Sequence, residues 1–92
     1  KHIVVEPNGI LSLQLHQERA EYWNIVRGVA VVTLGEETKE IKAGESVYIP
    51  VKTKHRIQNN SSEPMDFIEV QVGENLDEND IIRFEDKYGR TK

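Results

Sequence analysis

The chain has 92 residues, with 12 Lys and Arg against 16 Asp and Glu for a net charge of −4, and it contains no cysteine. A chain this short forms one domain that buries roughly 60–65% of the surface of its unfolded form, which excludes a separate nucleotide-binding domain within these residues. Without cysteine there is no disulfide, Cys-ligated zinc or thiol nucleophile, and the acidic balance disfavours nucleic acid as a partner.

The predicted elements are strands. Apolar residues recur in short runs that turn residues interrupt at intervals of about 8–12 residues, the spacing typical of an all-β sandwich or barrel. In chain order these runs cover residues 9–15, 21–34 with a bend at Gly28, 39–41, 46–49, 55–58, 66–72 and 81–84. About eight short strands without a helix predict an all-β fold, a jelly roll or a related double-sheet barrel. The acidic loop that begins at residue 73 lacks the frame of a calcium-binding loop and is predicted to be solvated surface.

The sequence also bears on location and extent. No apolar run approaches the roughly 20 residues of a membrane span, and no signal-peptide pattern opens the chain, so we predict a cytoplasmic protein with no membrane partner. The chain begins Lys1-His2-Ile3, and its only methionine is Met65. We therefore expect residues 1–92 to be a single domain that is excised from, or related to, part of a longer polypeptide.

Two polar segments interrupt the β pattern. Alternate residues of a strand share a face, so His16 and Glu18 are predicted to point the same way. Glu21 joins them if the chain bends at Arg19-Ala20, and His55 is expected from another strand. Two imidazoles and two carboxylates inside a barrel are costly without a counter-charge, and a divalent cation would satisfy all four.

At these segments the chain resembles the cupins, whose metal ligands lie in two motifs. The first motif runs H-x-H, three or four residues, E, six residues and G; the second runs G, five residues, P-x-G, two residues, H, three residues and N. The residues that match the first motif are His16, Glu21 and Gly28, with Glu18 in place of the second histidine. Those that match the second are Gly44, Pro50, His55 and Asn59, with Lys52 in place of the middle glycine. The resemblance implies a cupin-type double-stranded β-helix, which is a jelly-roll barrel.

A narrower resemblance covers essentially the whole chain. It rests on the segments LSLQLHQERAEYW, IPVKTKHRIQN, IEVQ and DENDIIRFEDKYGR, which begin at Leu11, Ile49, Ile68 and Asp77. These segments are similar to the C-terminal domain of type II mannose-6-phosphate isomerase/mannose-1-phosphate guanylyltransferase. In that family the first segment usually contains HHHRAEHW, so Gln17, Glu18 and Tyr22 each replace a histidine here.

The narrower resemblance implies a metal-dependent sugar-phosphate isomerase that interconverts mannose 6-phosphate and fructose 6-phosphate. The residues it assigns to a divalent metal are His16, Glu18, Glu21 and His55. Nitrogen and oxygen ligands of this kind suit manganese, zinc, cobalt, iron or nickel. For the phosphate or the developing enediolate it suggests Arg19, with Lys54 and Arg56 as further candidates. The sequence does not identify the general base, for which Glu69 and, if it does not bind the metal, Glu18 are candidates. The predicted catalytic residues are Arg19 and Glu18.

Two other functions stay open. The loss of three histidines is also what a degenerate cupin would show, one retained as a non-catalytic sugar-binding or oligomerisation module. A different small-molecule cupin is the third possibility, although general cupins have no need of the closing segment DIIRFEDKYGR.

Further expectations concern the surface. Trp23 and Tyr22 are predicted to pack on opposite faces of one strand. Alternation puts Lys54 and Arg56 on the face opposite His55, which favours a solvated surface over a phosphate clamp. Cupins commonly pair through outer strands, so we expect a homodimer, and residues 84–90 are a candidate for docking on a second copy or on a partner domain.

Overall fold

The computed structural model describes residues 1–86. These residues form nine strands. The strands are β1 (His2–Val5), β2 (Leu13–Leu15), β3 (Arg19–Arg27), β4 (Val29–Leu34), β5 (Glu37–Lys42), β6 (Ser46–Ile49), β7 (His55–Gln58), β8 (Met65–Gly73) and β9 (Ile82–Glu85). Within the described part of the chain there is no helix with the length and apolar character that crossing a membrane requires.

The strands pair into two antiparallel sheets. The four-stranded sheet has the order β1-β8-β3-β6, and the five-stranded sheet has the order β5-β4-β7-β2-β9. The chain repeatedly crosses from one sheet to the other, as it does between β2 and β3, which is the connectivity of a jelly roll. The predicted all-β double-sheet barrel is therefore confirmed.

The core lies between the two sheets. Along β3, buried side chains alternate with exposed ones from Glu21 to Ile25, as expected for a strand with one face on the core. Residues from both sheets form one buried apolar cluster, namely Val5, Trp23, Ile25, Ala30, Val32, Ile49, Ile57, Met65 and Phe67. Trp23 and Phe67 pack with ring centroids 5.2 Å apart, at the end of this core nearest the polar segments.

The prediction for the first elements is largely wrong. Of residues 9–15 only the three residues of β2 form a strand, and Ile10 makes an isolated bridge to Gln58. The sequence did not predict β1, which pairs with β8 along its whole length. A strand of four residues carries too few alternations to stand out, and it is defined by a partner strand 60–66 residues away in the sequence.

Gly28 separates β3 from β4, two strands that the sequence pattern predicted as one segment over residues 21–34. Its φ is +85°, in the region that favours glycine. A Cβ at this position would lie 3.1 Å from the Cβ of Met65 and 3.2 Å from the carbonyl oxygen of Pro64. The predicted bend at Gly28 is confirmed, and its reason is the close approach of the chain at the start of β8.

The outer face of the four-stranded sheet carries exposed apolar side chains. Tyr22 lies opposite both Tyr48 and Val70 in the strand register, and the two tyrosine rings are 4.8 Å apart. Nearly half of each of these three side chains is exposed. The homodimer remains a prediction, and this exposed apolar face is the candidate interface for a second copy of the chain. Most of the predicted docking segment, residues 84–90, lies outside the described residues.

Asp66 ties the start of β8 to both neighbouring strands. Its Oδ2 lies 2.7 Å from His2 Nε2, and its Oδ1 accepts a hydrogen bond from Arg27 Nε at 2.8 Å. The hydrogen bonds with His2 and then with Arg27 hold the pKa of Asp66 below its ordinary value of 3.8.

The variant Asp66→Asn should therefore have a lower free energy of unfolding at neutral pH. A carboxylate with a lowered pKa stabilises the fold above that ordinary value and loses its contribution on protonation, so the difference from the wild type should shrink below pH 3.8. Urea unfolding over this range measures the effect. Glu36→Gln is the matched control, because Glu36 makes no hydrogen bond to the described residues. A difference for Asp66→Asn that stays constant with pH would contradict the assignment.

Candidate metal centre

Three buried side chains converge where the ends of three strands meet. His16 follows β2, Glu21 lies in β3, and His55 is the first residue of β7. One ligand atom from each lies within 4.8 Å of the others. The imidazole centroids are 5.1 Å apart. Because β2 and β7 belong to one sheet and β3 to the other, the cluster joins the two sheets across the barrel.

Both imidazoles direct Nε2 into this cluster. His16 Nδ1 donates to the carbonyl of Asp80 at 2.6 Å, and His55 Nδ1 donates to the carbonyl of Thr53 at 2.9 Å. A carbonyl oxygen only accepts, so we assign a proton to each Nδ1. Burial lowers the pKa of His55, which favours the neutral ring with a bare Nε2. A ring fixed through Nδ1 in this way presents Nε2 to a metal.

Glu21 supplies the negative charge of the cluster. Its Oε1 accepts from Trp23 Nε1 at 2.9 Å, and its Oε2 lies 3.2 Å from His16 Nε2. Burial alone would raise the pKa of Glu21, but the hydrogen bonds with His16 and Trp23 outweigh it and lower the pKa to about 2. Glu21 is therefore ionised at neutral pH.

Arg19 is drawn into the interior by this carboxylate. Its Nε donates to Glu21 Oε2 at 3.0 Å, and its Nη2 lies 3.3 Å from His16 Nε2. Its Nη1 is buried without a hydrogen-bond partner among residues 1–86. Arg19, predicted to be a catalytic and substrate-binding residue, thus borders the interior cavity. Two of its three guanidinium nitrogens contact Glu21 and His16 of the cluster.

The predicted position of Glu18 beside His16 is wrong. β2 ends at Leu15 and β3 begins at Arg19, so a bend at Gln17 and Glu18 interrupts the alternation from which the shared face was inferred. Glu18 is exposed and accepts a hydrogen bond from Asn75 Nδ2 at 2.7 Å. As a candidate ligand and catalytic group it lies outside the cluster, which contains one carboxylate instead of the predicted two.

Gln14 takes the inward position beside His16 instead. Its Nε2 lies 3.5 Å from His16 Nε2, and its Oε1 accepts from Ser12 Oγ at 2.6 Å. The signal was present in the sequence, because four residues separate His16 from Glu21, the spacing that follows the second histidine of the first cupin motif. Gln14 therefore stands where that motif has its first histidine, and its amide brings no charge.

The loop before His55 contains a residue in the left-handed region. Lys52 has a φ of 58°, at the position where the second cupin motif has its middle glycine. Its N–H donates to the carbonyl of His16 at 2.7 Å. The loop between β6 and β7 is thereby tied to the residue that follows β2, which brings His16 and His55 together.

Asp80 is a supporting residue that the sequence did not reveal. Its two carboxylate oxygens accept the N–H groups of Gln17 and Glu18, both at 2.9 Å, and its own carbonyl accepts from His16. Asp80 thus fixes the bend after β2 and the orientation of the His16 ring. The acidic loop was predicted to be solvated surface, and no motif distinguishes Asp80 from its acidic neighbours.

A cavity of about 590 Å³ lies beside the cluster, between the two sheets. Glu69 of β8 lines it and accepts a hydrogen bond from Gln71 Nε2 at 2.8 Å. Burial raises the pKa of Glu69, the hydrogen bond from Gln71 opposes this, and the charge of Glu21 adds to the increase. The cavity wall thus contains a carboxyl group that is more easily protonated than Glu21 of the adjacent cluster.

The two other predicted substrate-binding cations differ in position. Lys54 does not line the cavity; it is exposed, with its Nζ 4.3 Å from the ring centroid of Phe84. Arg56 borders the cavity, but its Nε donates to the carbonyl of Leu11 at 2.8 Å and its Nη1 to Glu85 Oε1 at 3.2 Å. Lys54 therefore places no ammonium group in the cavity, and the guanidinium of Arg56 is already hydrogen-bonded.

The donor set fits a divalent metal. His55 Nε2 is buried without a hydrogen-bond partner among the described residues, although a buried polar atom normally has one. Two imidazole nitrogens and one carboxylate oxygen are ligands that manganese, iron, cobalt, nickel and zinc accept, and three protein ligands leave positions open for substrate or water.

The fold and the position of this cluster define the protein as a cupin. A protein with a double-stranded β-helix domain from Klebsiella pneumoniae superposes with a TM-score of 0.80 at 20% identity, covering 91% of this chain and 71% of that one. The cupin domain of Schizosaccharomyces pombe Cnp3 superposes with a TM-score of 0.76 at 15% identity, covering 82% of this chain and 55% of that one.

Within the cupins, the chain belongs to the family described as mannose-6-phosphate isomerase, C-terminal, whose model matches residues 1–86. It is 50% identical over 91 residues to the xanthan biosynthesis protein XanB of Xanthomonas campestris pv. campestris, covering 99% of this chain and 20% of that protein. It is 47% identical over 90 residues to the mannose-1-phosphate guanylyltransferase ManC of Salmonella typhimurium, covering 98% and 19%. The chain thus spans about a fifth of the length of these relatives.

Proposed function

We propose that the chain is a metal-dependent isomerase domain that interconverts mannose 6-phosphate and fructose 6-phosphate. The observation that carries the proposal is the buried cluster of His16, Glu21 and His55, in which one ligand atom from each side chain lies within 4.8 Å of the others, beside a cavity. The family match supports the substrate class. The guanylyltransferase activity in the name of a relative has no counterpart in these residues, which contain no Gly-rich phosphate loop.

The three side chains of the cluster would hold the metal. When bound, a divalent ion polarises the carbonyl of the sugar, which makes the adjacent carbon-bound proton more acidic. The chain itself must supply the group that moves this proton and a surface that excludes water. Trp23 and Phe67 form an apolar part of the cavity wall beside the cluster.

Glu69 is the group that we assign to proton transfer. As a carboxylate it would take the proton from C2 of the aldose and return it to C1, while the hydroxyl proton moves from O2 to O1. Its raised pKa makes it a stronger base than an ordinary carboxylate. Of the two bases predicted from sequence, Glu69 lines the cavity and Glu18 does not.

A coupled assay for fructose 6-phosphate formation tests this function. The intact 92-residue chain is incubated with mannose 6-phosphate and, in turn, manganese, cobalt, nickel, zinc or ferrous iron. We expect turnover with at least one metal and its loss with a chelator. Glu69→Gln should reduce kcat by about 100-fold or more, because general-base catalysis is typically worth that much. Background turnover with every metal would refute the enzymatic function.

A specific contact favours a second candidate, a non-catalytic sugar-binding or oligomerisation module. Arg19 already supplies a positive charge to Glu21 and lies beside His16, so part of the cluster is satisfied without a metal. Elemental analysis and a thermal shift on chelation separate the two candidates. A protein without metal whose melting temperature is unaffected by the chelator would favour the module.

A further inference from the structure

Arg83 of β9 is a cation in the cavity without a partner among residues 1–86. It lines the cavity, and its Nε is buried with no hydrogen-bond partner in the part of the chain that the structure describes. Its neighbours Ile82 and Phe84 are exposed, which leaves Arg83 as the inward residue of the strand. A guanidinium that is partly removed from water and has no hydrogen-bond acceptor is energetically unfavourable. An anionic ligand that accepts a hydrogen bond from Arg83 would therefore be stabilised here.

The other cations that line the cavity are engaged. Arg19 contacts Glu21 and His16, Arg56 contacts Leu11 and Glu85, and Lys1 Nζ lies 3.4 Å from Glu78 Oε1. Among the cavity-lining cations of residues 1–86, Arg83 alone has neither an ion pair nor a hydrogen bond to its side chain. The unbalanced positive charge of the cavity is therefore at β9.

The position of Arg83 relative to the metal cluster suits an elongated anionic sugar. Arg83 is the register partner of Gln14, and Gln14 lies two residues before His16 on the adjacent strand. Directly opposed residues are about 5 Å apart across a sheet, and two residues along a strand span about 7 Å. A hexose phosphate can bridge these distances, with its carbonyl end at His16 and its phosphate at Arg83.

Two carboxylates line the cavity, Glu69 and Glu78, and Glu78 lies 3.4 Å from Lys1 Nζ. Glu21 and Glu69 belong to β3 and β8 of the four-stranded sheet, whereas Arg83 belongs to the five-stranded sheet. The negative charges of Glu21 and Glu69 thus lie on the sheet opposite the guanidinium. The planar guanidinium also suits phosphate, because two of its N–H groups can donate to two phosphate oxygens at once.

We propose that Arg83 binds the phosphate group of the sugar-phosphate substrate. This inference rests on the proposed function for the identity of the sugar, but phosphate binding itself requires neither metal nor turnover. The sequence-based candidates for this role were Arg19, Lys54 and Arg56, and the structure points to a residue outside that set.

Calorimetric titration of the full chain with mannose 6-phosphate, inorganic phosphate and mannose, all in the presence of a chelator, tests the inference. We expect the wild type to bind the two phosphates and Arg83→Gln to bind mannose 6-phosphate about 10–100-fold more weakly, the loss typical of a charge-assisted hydrogen-bonded pair. Arg83→Lys should bind with intermediate affinity. Lys39→Gln, which removes one exposed positive charge from β5, should bind like the wild type.

The outcomes separate this inference from the proposed function. Affinity for mannose 6-phosphate that is unchanged in Arg83→Gln, or reduced equally in Lys39→Gln, would overturn the role of Arg83 even in an active isomerase. Absence of phosphate binding by the wild type would overturn it too. Phosphate binding that depends on Arg83 in a protein without turnover would support it while the isomerase function fails. If Arg83→Gln does not fold, Arg83→Lys carries the comparison, and equal affinity to the wild type would contradict bidentate binding.

Discussion

Glu21→Gln is expected to abolish metal-dependent turnover and to lower metal affinity by at least 100-fold. The substitution keeps the shape of the side chain and removes the only carboxylate charge in the three-residue cluster. It also leaves Arg19 buried without its counter-ion, and breaking a buried ion pair in this way costs about 3–5 kcal/mol. Isothermal titration with manganese measures the metal affinity, and the isomerase assay measures the turnover.

Glu18→Gln is the matched control for this prediction. Both glutamates were predicted ligands, yet Glu18 is exposed and accepts a hydrogen bond from Asn75, whereas Glu21 is buried beside the two histidines. We expect Glu18→Gln to retain metal binding and turnover within about twofold, since surface substitutions are usually nearly neutral. Unfolding curves show whether each variant is folded at the assay temperature. A loss in Glu18→Gln equal to that in Glu21→Gln would contradict the structural assignment.

Trp23→Ala is expected to give the largest loss of stability. Trp23 is 3% exposed, packs on Phe67 and lies edge-on to the His55 ring at 5.5 Å. Removing a buried aromatic side chain costs about 3–5 kcal/mol, and the loss of its hydrogen bond to the Glu21 carboxylate adds about 1.5–3 kcal/mol. For a domain whose total stability is about 5–14 kcal/mol, such a loss approaches complete unfolding.

Tyr22→Ala tests the same strand from its other face. Tyr22 is 46% exposed and contacts Tyr48, and an aromatic pair of this kind is worth about 0.5–1.5 kcal/mol beyond area burial. We therefore expect a loss several times smaller than for Trp23→Ala, measured by urea unfolding. Comparable losses for the two variants would show that the predicted opposite faces of β3 do not differ in packing.

Much of the fold followed from local patterns. The alternation of DFIEVQV predicted β8 to within a residue at each end, and Gly28 marked the bend between β3 and β4. Elements defined by distant partners were missed. β1 is a strand because it pairs with β8, and the local alternation of residues does not reveal a pairing with a distant segment.

The sequence predicted the site residues whose positions follow from motif spacing. It did not predict those whose positions depend on the local course of the backbone. The run of residues 55–58 predicted a strand that starts at His55, and the second motif identified His55 as a candidate ligand. Lys52 adopts the φ expected of the glycine that this motif has at its position. The assumption of a continuous strand through His16 and Glu18 failed because Asp80, more than sixty residues away, fixes a bend there. Arg83 was overlooked because its role depends on the absence of a partner, which a sequence does not display.

A crystal structure of the chain with manganese, recorded at a wavelength where the metal scatters anomalously, is the direct test of a metal centre formed by His16, Glu21 and His55. We expect one anomalous peak within coordination distance, about 2.0–2.3 Å, of His16 Nε2, His55 Nε2 and a Glu21 carboxylate oxygen. Arg19 should then be displaced from His16 while it keeps its contact with Glu21. A fully occupied peak elsewhere, for example beside Glu18 and Asp80, or no peak at saturating manganese, would contradict a metal centre formed by these three side chains.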